Sequence, residues 1–315
     1  MEYQTLGNTD LQVSRLCFGS LTISPLQANL PLQEGVSVIR DALVAGVNFI
    51  DTAELYNNYE YIRLALREKL RPVYVCSKSY AYTYDAMRES VEKACRAIER
   101  DYIDIFMMHE QTSRLTLQGH AEALKYLVDA KQAGTIRAIG VSTHTVEVVR
   151  AAAMYDEIDV IHPILNKQGL GICDGTAFDM LSAIQFADSM GKGIYTMKAL
   201  GGGHLSSVAP AAFEWILSQT GIDAVAVGMQ SREEVRVNVA IFAGLQPEQK
   251  MLNQVLGRQR KLLIEEWCLA CGKCVQVCPM GAIQIVEGQA VSNLNKCVLC
   301  GYCGAHCPEF CIKVI

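Results

Sequence analysis

Short hydrophobic runs alternate with amphipathic stretches along most of the chain. The runs are nearly continuous in hydrophobicity, which is typical of parallel strands that are buried on both faces. Eight of them follow one another: RLCFGS, VNFIDTA, VYVCSK, IDIFMMHE, IRAIGVS, DVIHPIL, GIYTMKAL and AVAVGM. The stretches between them predict helices, and several end at a glycine, namely Gly46, Gly134, Gly191 and Gly221. Eight strand–helix units within about 230 residues predict a closed (β/α)8 barrel, the TIM-barrel architecture.

The main alternative to the barrel is an open, doubly wound sheet. In its dinucleotide-binding form that sheet carries G-x-G-x-x-G directly after the first strand. The segment RLCFGSLTIS has a single glycine, so the barrel is favoured. The preceding segment, YQTLGNTDLQVS, is predicted to form a hairpin that caps the lower end of the barrel.

The end of the chain has a different pattern, in which cysteine dominates. CLACGKCVQVCP is repeated as CVLCGYCGAHCP 29 residues later, which indicates an internal duplication. We therefore divide the chain into a barrel over residues 1–245, a helical connector over 246–266 and a small α+β cysteine domain over 267–315.

Each repeat has the spacing C-x2-C-x2-C-x3-C-P, which is typical of iron–sulfur ligands. Zinc is the alternative, but a zinc ribbon requires only paired C-x2-C motifs. The domain resembles a bacterial-type ferredoxin module with two [4Fe–4S] clusters, in which the fourth cysteine of each run binds the other cluster. The resemblance implies two ligand sets: Cys268, Cys271, Cys274 and Cys307 for one cluster, and Cys297, Cys300, Cys303 and Cys278 for the other.

Composition narrows the function further. Half of the residues are hydrophobic, 19% are charged and the net charge is −5, which gives no basic footprint for nucleic acid. No run of about 18 apolar residues predicts a membrane span, and the polar N-terminus does not resemble a signal peptide. We expect a cytoplasmic protein, with its other cysteines as buried thiols: Cys17, Cys76, Cys95, Cys173 and Cys311.

Polar residues close three successive strands of the predicted barrel, at the end where such barrels carry their chemistry. They are Asp51, Lys78 and His109, and Tyr56 follows Asp51 in DTAELY. Singly, each has a structural interpretation as a helix cap, a solvated charge or a packed ring. Together they suit protonation of a carbonyl, because an ammonium near a phenol favours its ionised form and a carboxylate anchors that ammonium.

With these residues in place, the chain resembles an aldo-keto reductase over residues 1 to about 245. The resemblance is carried by LGNTDLQVS, GVNFIDTAELY, VYVCSK, IDIFMMHE, IGVS, MKALGGG and VGMQSREEVRVNVA. It implies that Tyr56 is the general acid, that Lys78 lowers the pKa of Tyr56, that Asp51 holds Lys78 and that His109 orients the substrate. It also implies NAD or NADP as the cofactor, bound without a glycine-rich fingerprint.

The same resemblance gives a set of expected nicotinamide-cofactor contacts. Two depart from the family pattern: His162 stands where glutamine is usual, and Met197 stands where an aromatic ring is usual. The basic residues that commonly bind the 2′-phosphate of NADP correspond to Gly228 and Glu234, so the choice between NAD and NADP stays open. The expected set is Gly19, Ser20, Ser142, His162, Met197, Lys198, Leu200, Gly228, Gln230, Arg232, Glu234 and Asn238.

These features favour an NAD(P)H-linked oxidoreductase that acts on a small carbonyl or alcohol, with clusters that relay electrons to the substrate or to a redox partner protein. One alternative is an electron-transfer or redox-sensing protein whose barrel only binds nicotinamide. Another is a redox-gated dehydratase or isomerase. We also expect part of residues 246–315 to lie near the barrel mouth, where such reductases have a C-terminal tail.

Overall fold

The computed structural model describes residues 1–67, 72–297, 299 and 302–315. It begins with an antiparallel hairpin of β1 (Tyr3–Thr5) and β2 (Gln12–Ser14). Leu6 and Leu11 of this hairpin pack against the inward-facing side chains of the first barrel strands. The predicted cap on the lower end of the barrel is therefore confirmed.

Within the described residues, eight parallel strands close into a barrel, as predicted. The last strand pairs with the first, which leaves no free sheet edge. The strands are β3 (Leu16–Gly19), β4 (Phe49–Asp51), β5 (Tyr74–Ser79), β6 (Ile103–Gln111), β7 (Ile136–Thr143), β8 (Val160–Pro163), β9 (Gly193–Met197) and β10 (Ala224–Gly228).

Helices cover the outside of this barrel, and the main hydrophobic core lies between them and the strands. They are α1 (Leu32–Val44), α2 (Tyr59–Leu66), α3 (Tyr84–Ile98), α4 (Arg114–Gly119), α5 (Ala121–Gln132), α6 (Val146–Ala153), α7 (Ala177–Ser189), α8 (Ala209–Leu217) and α9 (Arg232–Phe242). The short helix α4 precedes the stretch GHAEALKYLVDAKQAG, and it begins with a capping box at Ser113 and Thr116. The predicted end of α2 reaches into residues 68–71, which lie outside the described part of the chain.

The C-terminal part has a small core of its own. It contains α10 (Gln249–Leu256), β11 (Leu262–Ile264), α11 (Lys273–Val277), β12 (Ile283–Val286), β13 (Gln289–Ser292), α12 (Tyr302–Ala305) and β14 (Ile312–Val314). β11 pairs with β14 and β12 with β13, both antiparallel. In each half a short helix that carries cysteines precedes a strand, which is the structural form of the duplication.

The C-terminal strand β14 docks on the loop after β9. The amide of Val314 donates to the carbonyl of Gly202 over 2.9 Å, and the His204 ring contacts the Ile312 carbonyl at 3.1 Å. Gly203 between them has φ +92°, and a Cβ there would meet the Val314 carbonyl oxygen at 1.8 Å. Glycine is therefore required for this close approach of two backbones.

One prediction about the remaining cysteines is wrong. Cys17, Cys76 and Cys311 are buried and Cys95 is half-buried, but Cys173 is exposed. Cys173 lies in the loop after β8, which runs over the surface instead of entering the core. Within the described ranges, no helix is both long enough and apolar enough to cross a membrane.

Candidate active site

The four residues of the predicted catalytic set meet at the C-terminal mouth of the barrel. Asp51 is the last residue of β4, while Lys78 and His109 lie near the ends of β5 and β6. Tyr56 lies in a short 3-10 turn after β4. Because neighbouring parallel strands end at the same rim, their last side chains converge, and all four line one cavity of about 530 Å³.

A buried ion pair forms the floor of this site. The Lys78 ammonium lies 2.7 Å from an Asp51 oxygen, and the two side chains are 1% and 7% exposed. Tyr195 donates to the same carboxylate oxygen over 2.8 Å, and Lys78 also donates to the Thr52 carbonyl. Burial is the largest influence and pushes the pKa of Asp51 upward, but Lys78, His162 and the Tyr195 hydrogen bond together outweigh it, so the net pKa lies below its usual value. Burial likewise opposes the charge of Lys78, yet Asp51 raises that pKa overall.

Tyr56 and His109 face the cavity above this pair. The Lys78 nitrogen lies 5.3 Å from the centre of the Tyr56 ring, and the Tyr56 and His109 ring centres are 5.9 Å apart. Burial raises the pKa of Tyr56 and Lys78 lowers it, with burial the larger effect. Lys78 thus acts in the expected direction, but it does not bring the pKa of Tyr56 below its usual value, and the phenol stays protonated at neutral pH.

His109 is a neutral imidazole in this setting. Burial, reinforced by Lys78, lowers its pKa to about 3. Its ring stacks on Tyr80 with the centres 4.4 Å apart, and its Nδ1 has no hydrogen-bond partner among the described residues. A neutral, buried ring with a free nitrogen can hydrogen-bond to a substrate oxygen without adding a charge.

Most of the expected cofactor contacts line the same cavity. They are Gly19, Ser142, His162, Met197, Lys198, Leu200, Gly228, Gln230, Glu234 and Asn238. His162 is fixed by a 2.6 Å contact between its Nδ1 and the Tyr195 carbonyl, and burial lowers its pKa to about 4. It is therefore a neutral ring at the position where the family usually has an amide.

Two expected contacts point elsewhere. The Ser20 hydroxyl is fully buried and donates to the Asp51 carbonyl over 2.7 Å, so it supports the strand end and does not face the cavity. Arg232 forms an ion pair with Asp41 of α1 at 2.7 Å on the outside of the barrel. The partner of Arg232 comes from a neighbouring helix, which the local sequence around Arg232 did not indicate.

The C-terminal segment closes one side of the cavity. Phe310 and Lys313 from that segment line it, together with Trp267 and the chain end. The expectation that part of residues 246–315 lies near the barrel mouth is confirmed by this geometry. Sequence reasoning did not single out four side chains on this side, which are Glu110, His144, Phe310 and Lys313.

One of the two expected sets of iron–sulfur ligands surrounds a second, smaller cavity. Cys268, Cys271, Cys274 and Cys307, which form the first predicted ligand set, all line it. The amide of Ala270 points at the Cys268 sulfur over 3.4 Å, and amide–sulfur hydrogen bonds of this kind stabilise clustered thiolates. These thiols fit one [4Fe–4S] cluster.

In the second set, the amide of Ala282 points at the Cys278 sulfur over 3.2 Å, and Cys303 is buried. Cys300 of that set lies outside the described residues. Among the described residues, no group of three histidine, cysteine or carboxylate side chains is placed to hold a single metal ion.

Comparison with known proteins identifies both parts. The model of the aldo/keto reductase family matches residues 15–208, and that of the 4Fe-4S dicluster domain matches residues 260–308. L-galactose dehydrogenase of Arabidopsis thaliana is 23% identical over 300 residues, a match to 81% of this chain and 93% of that protein. NADH-specific methylglyoxal reductase of Escherichia coli K12 is 25% identical over 300 residues, covering 75% and 91% respectively.

Among solved structures, the holo form of an aldo-keto reductase from Bacillus halodurans has the same fold. It superposes with a TM-score of 0.67 at 20% identity and covers 82% of this chain and 95% of that one. Because the family model matches well over half of the sequence, the identification does not depend on any one relative. The chain is an oxidoreductase that belongs to the aldo/keto reductase family and carries a 4Fe-4S dicluster domain at its C-terminus.

Proposed function

We propose that this protein interconverts a carbonyl and an alcohol on a small molecule, using NAD(P)H as the hydride source and Tyr56 as the general acid and base. One observation carries the proposal. Lys78 lies between Asp51 and Tyr56 in a buried site, and His109 faces the same 530 Å³ cavity. A module that only bound nicotinamide would have no need for a phenol beside a buried ammonium.

Each residue has a defined part in the proposed reaction. When NAD(P)H is bound, it supplies the hydride to the carbonyl carbon. The Tyr56 hydroxyl donates its proton to the carbonyl oxygen, and the Lys78 ammonium stabilises the phenolate that remains. Asp51 keeps Lys78 charged and in place. Neutral His109 hydrogen-bonds to the carbonyl oxygen and so fixes the direction in which that oxygen faces Tyr56.

Two relatives support this reaction class by their names, a dehydrogenase and a methylglyoxal reductase. The second is NADH-specific. At the expected adenine end of the cavity, Glu234 pairs with Arg258 over 3.1 Å and Arg260 lines the same cavity. Glu234 stands where the family commonly has a basic residue for the 2′-phosphate of NADP. From the loss of that basic residue and from the NADH-specific relative we infer that NADH is the preferred cofactor.

We further propose that the iron–sulfur clusters relay single electrons to the substrate or to a redox partner protein, in a step separate from the two-electron hydride transfer. The segment from Cys307 to Lys313 separates the two cavities. Cys307 lines the cysteine cavity, Phe310 and Lys313 line the catalytic cavity, and Glu309 borders both. A single chain segment therefore lies between the predicted cluster and the substrate, which is a suitable arrangement for short-range transfer.

Replacement of the phenol tests the catalytic proposal. Tyr56→Phe should lose about 100- to 10,000-fold in turnover, the usual contribution of a general acid, while the NADH dissociation constant stays near that of wild type. Tyr82→Phe is the matched control, because Tyr82 is 63% exposed and lies outside the cavity lining. Wild-type turnover in Tyr56→Phe would exclude the proposed role.

The relay needs a separate test. Cys271→Ala removes one predicted ligand of the first cluster, and the loss is followed by electron paramagnetic resonance of the dithionite-reduced protein. If the first cluster takes part in catalysis, anaerobic turnover should fall together with the paramagnetic resonance signal of that cluster. Full turnover in a variant that has lost the signal of the first cluster would place that cluster outside the catalytic path.

A further inference from the structure

Two lysines from different parts of the chain meet on one wall of the catalytic cavity. Lys198 follows β9 of the barrel, and Lys313 is the middle residue of β14. The neighbours of Lys313, Ile312 and Val314, face the core of the iron–sulfur domain. Because successive side chains of a strand point to opposite faces, Lys313 is directed at the barrel, where it is only 5% exposed.

Neither ammonium has a carboxylate partner. The Lys198 nitrogen contacts His144 Nε2 at 2.8 Å and lies 4.9 Å from the centre of the Phe310 ring. The Lys313 nitrogen lies 3.6 Å from the same ring centre and donates to the Phe310 carbonyl. Within the described chain neither lysine forms an ion pair. Because buried charges are costly unless they are paired, an anion within hydrogen-bond distance of both lysines would be stabilised here.

Within the described chain, carboxylates act on the two lysines only from beyond ion-pair distance. Glu110 accepts a hydrogen bond from Tyr80 and lies 3.9 Å from His144, and Glu265 and Glu309 line the same cavity. Burial is the largest influence and lowers the pKa of both lysines, while Glu110 and Glu265 act against it. Lys78 further lowers the pKa of Lys198, and Lys198 further lowers that of Lys313. A bound anion would offset both effects.

The backbone of this wall is also unusual. Glu110, Lys198 and Phe310 all adopt the left-handed region, with φ of 45°, 60° and 45°. This conformation is strained for a residue other than glycine, and such residues concentrate at ligand sites. Three of them on one cavity wall hold the side chains of the wall in fixed directions.

We propose that Lys198 and Lys313, with His144 bound to Lys198, form a subsite for an anionic group, a carboxylate or a phosphate, on the substrate whose carbonyl reaches Tyr56. The proposal rests on the proposed function. This changes the role that the family resemblance implies for Lys198, which is a cofactor contact. The anion is assigned to the substrate because the Lys198 nitrogen contacts His144 after β7, whereas the expected adenine contacts Glu234 and Asn238 lie on α9 after β10. The iron–sulfur domain thus contributes a residue that determines substrate class.

A binding experiment tests the subsite without relying on turnover. Benzoate, phenyl phosphate and uncharged benzyl alcohol are titrated calorimetrically into the anaerobic holoprotein, with and without saturating NADH. The two anions distinguish carboxylate from phosphate. Lys198→Met and Lys313→Met should weaken the preferred anion about 10- to 100-fold, the usual loss for a hydrogen bond to a charged group. Lys313→Arg, which keeps the charge, should restore most of the affinity.

Lys261→Met is the matched control, since Lys261 is an exposed lysine on the same C-terminal segment. It should bind the anions like wild type. In kinetic assays the ratio of kcat/KM for 4-carboxybenzaldehyde to that for benzaldehyde should fall about 10- to 100-fold in the two methionine variants.

Two results would overturn the subsite. One is equal anion affinity in wild type and both methionine variants. The other is competition between the anion and NADH, which would assign the lysines to the cofactor phosphates. If the protein binds the anions through both lysines but shows no turnover, the proposed reaction is contradicted and the anion subsite is still supported.

Discussion

Breaking the buried Asp51–Lys78 pair should cost both stability and activity. The side chains are 7% and 1% exposed, and their charged atoms are 2.7 Å apart. Removing one partner of such a pair leaves an unpaired buried charge and typically costs about 3–5 kcal/mol. Lys78→Met and Asp51→Asn should therefore each lower the free energy of unfolding by about that amount.

The double variant should lose less than the sum of the two single losses. Once one partner is gone, removal of the other eliminates the unpaired charge, so we expect a coupling energy of about 1–3 kcal/mol. The assay is urea unfolding of the anaerobic holoprotein followed by circular dichroism. Additivity within about 0.5 kcal/mol would refute the view that the two residues act as a unit.

The pH dependence provides a second check with a defined sign. In wild type the pKa of Asp51 is lowered, so its contribution is present above the unfolded pKa of about 3.9 and is lost as the pH falls below it. In Lys78→Met burial acts without the ammonium and the pKa should rise. The free-energy cost of burying the unpaired Asp51 carboxylate then grows as the pH rises above about 4. The free energy of unfolding of Lys78→Met should therefore be closer to that of wild type at pH 5.5 than at pH 8.

Two further substitutions test the closure and the cofactor end of the cavity. Gly203→Ala should undock β14, because a Cβ at residue 203 would meet the Val314 carbonyl oxygen at 1.8 Å. The matched control is Gly244→Ala, since Gly244 is also at positive φ but has open space around it, and we expect it to lose about 1 kcal/mol of stability. Gly203→Ala should lose more than this, and equal losses of thermal stability would contradict the docking of β14. Glu234 pairs with Arg258 at 3.1 Å, and Glu234→Gln should narrow the preference for NADH over NADPH about tenfold, near 1.4 kcal/mol. A wild-type enzyme that prefers NADPH in steady-state kinetics would contradict this assignment.

The sequence was most informative where local pattern decides structure. Each barrel strand is a short hydrophobic run, and Asp51, Lys78 and His109 close three of them, so their meeting at one rim follows from the barrel alone. The cysteine repeats are similarly local. Cys268, Cys271 and Cys274 lie within seven residues and need only one turn of chain to face the same cavity.

The anionic subsite could not be found in the same way. Lys313 reaches Lys198 only because β14 docks on the loop after β9, through a backbone contact that Gly203 permits. This contact joins segments more than 100 residues apart. The pairing of Arg232 with Asp41 is equally non-local, and it leaves this expected cofactor contact outside the cavity.

The most direct test of the account follows the transferred hydrogen. Anaerobic holoprotein is supplied with nicotinamide deuterated at the transferable C4 position and an aldehyde substrate, and the alcohol is analysed by mass spectrometry. Hydride transfer assisted by Tyr56 predicts one deuterium on the former carbonyl carbon, and a rate of formation of that product about 100- to 10,000-fold lower in Tyr56→Phe. An alcohol whose new C–H hydrogen comes from water while NADH is consumed would show that electrons travel singly, and it would contradict hydride transfer at this site.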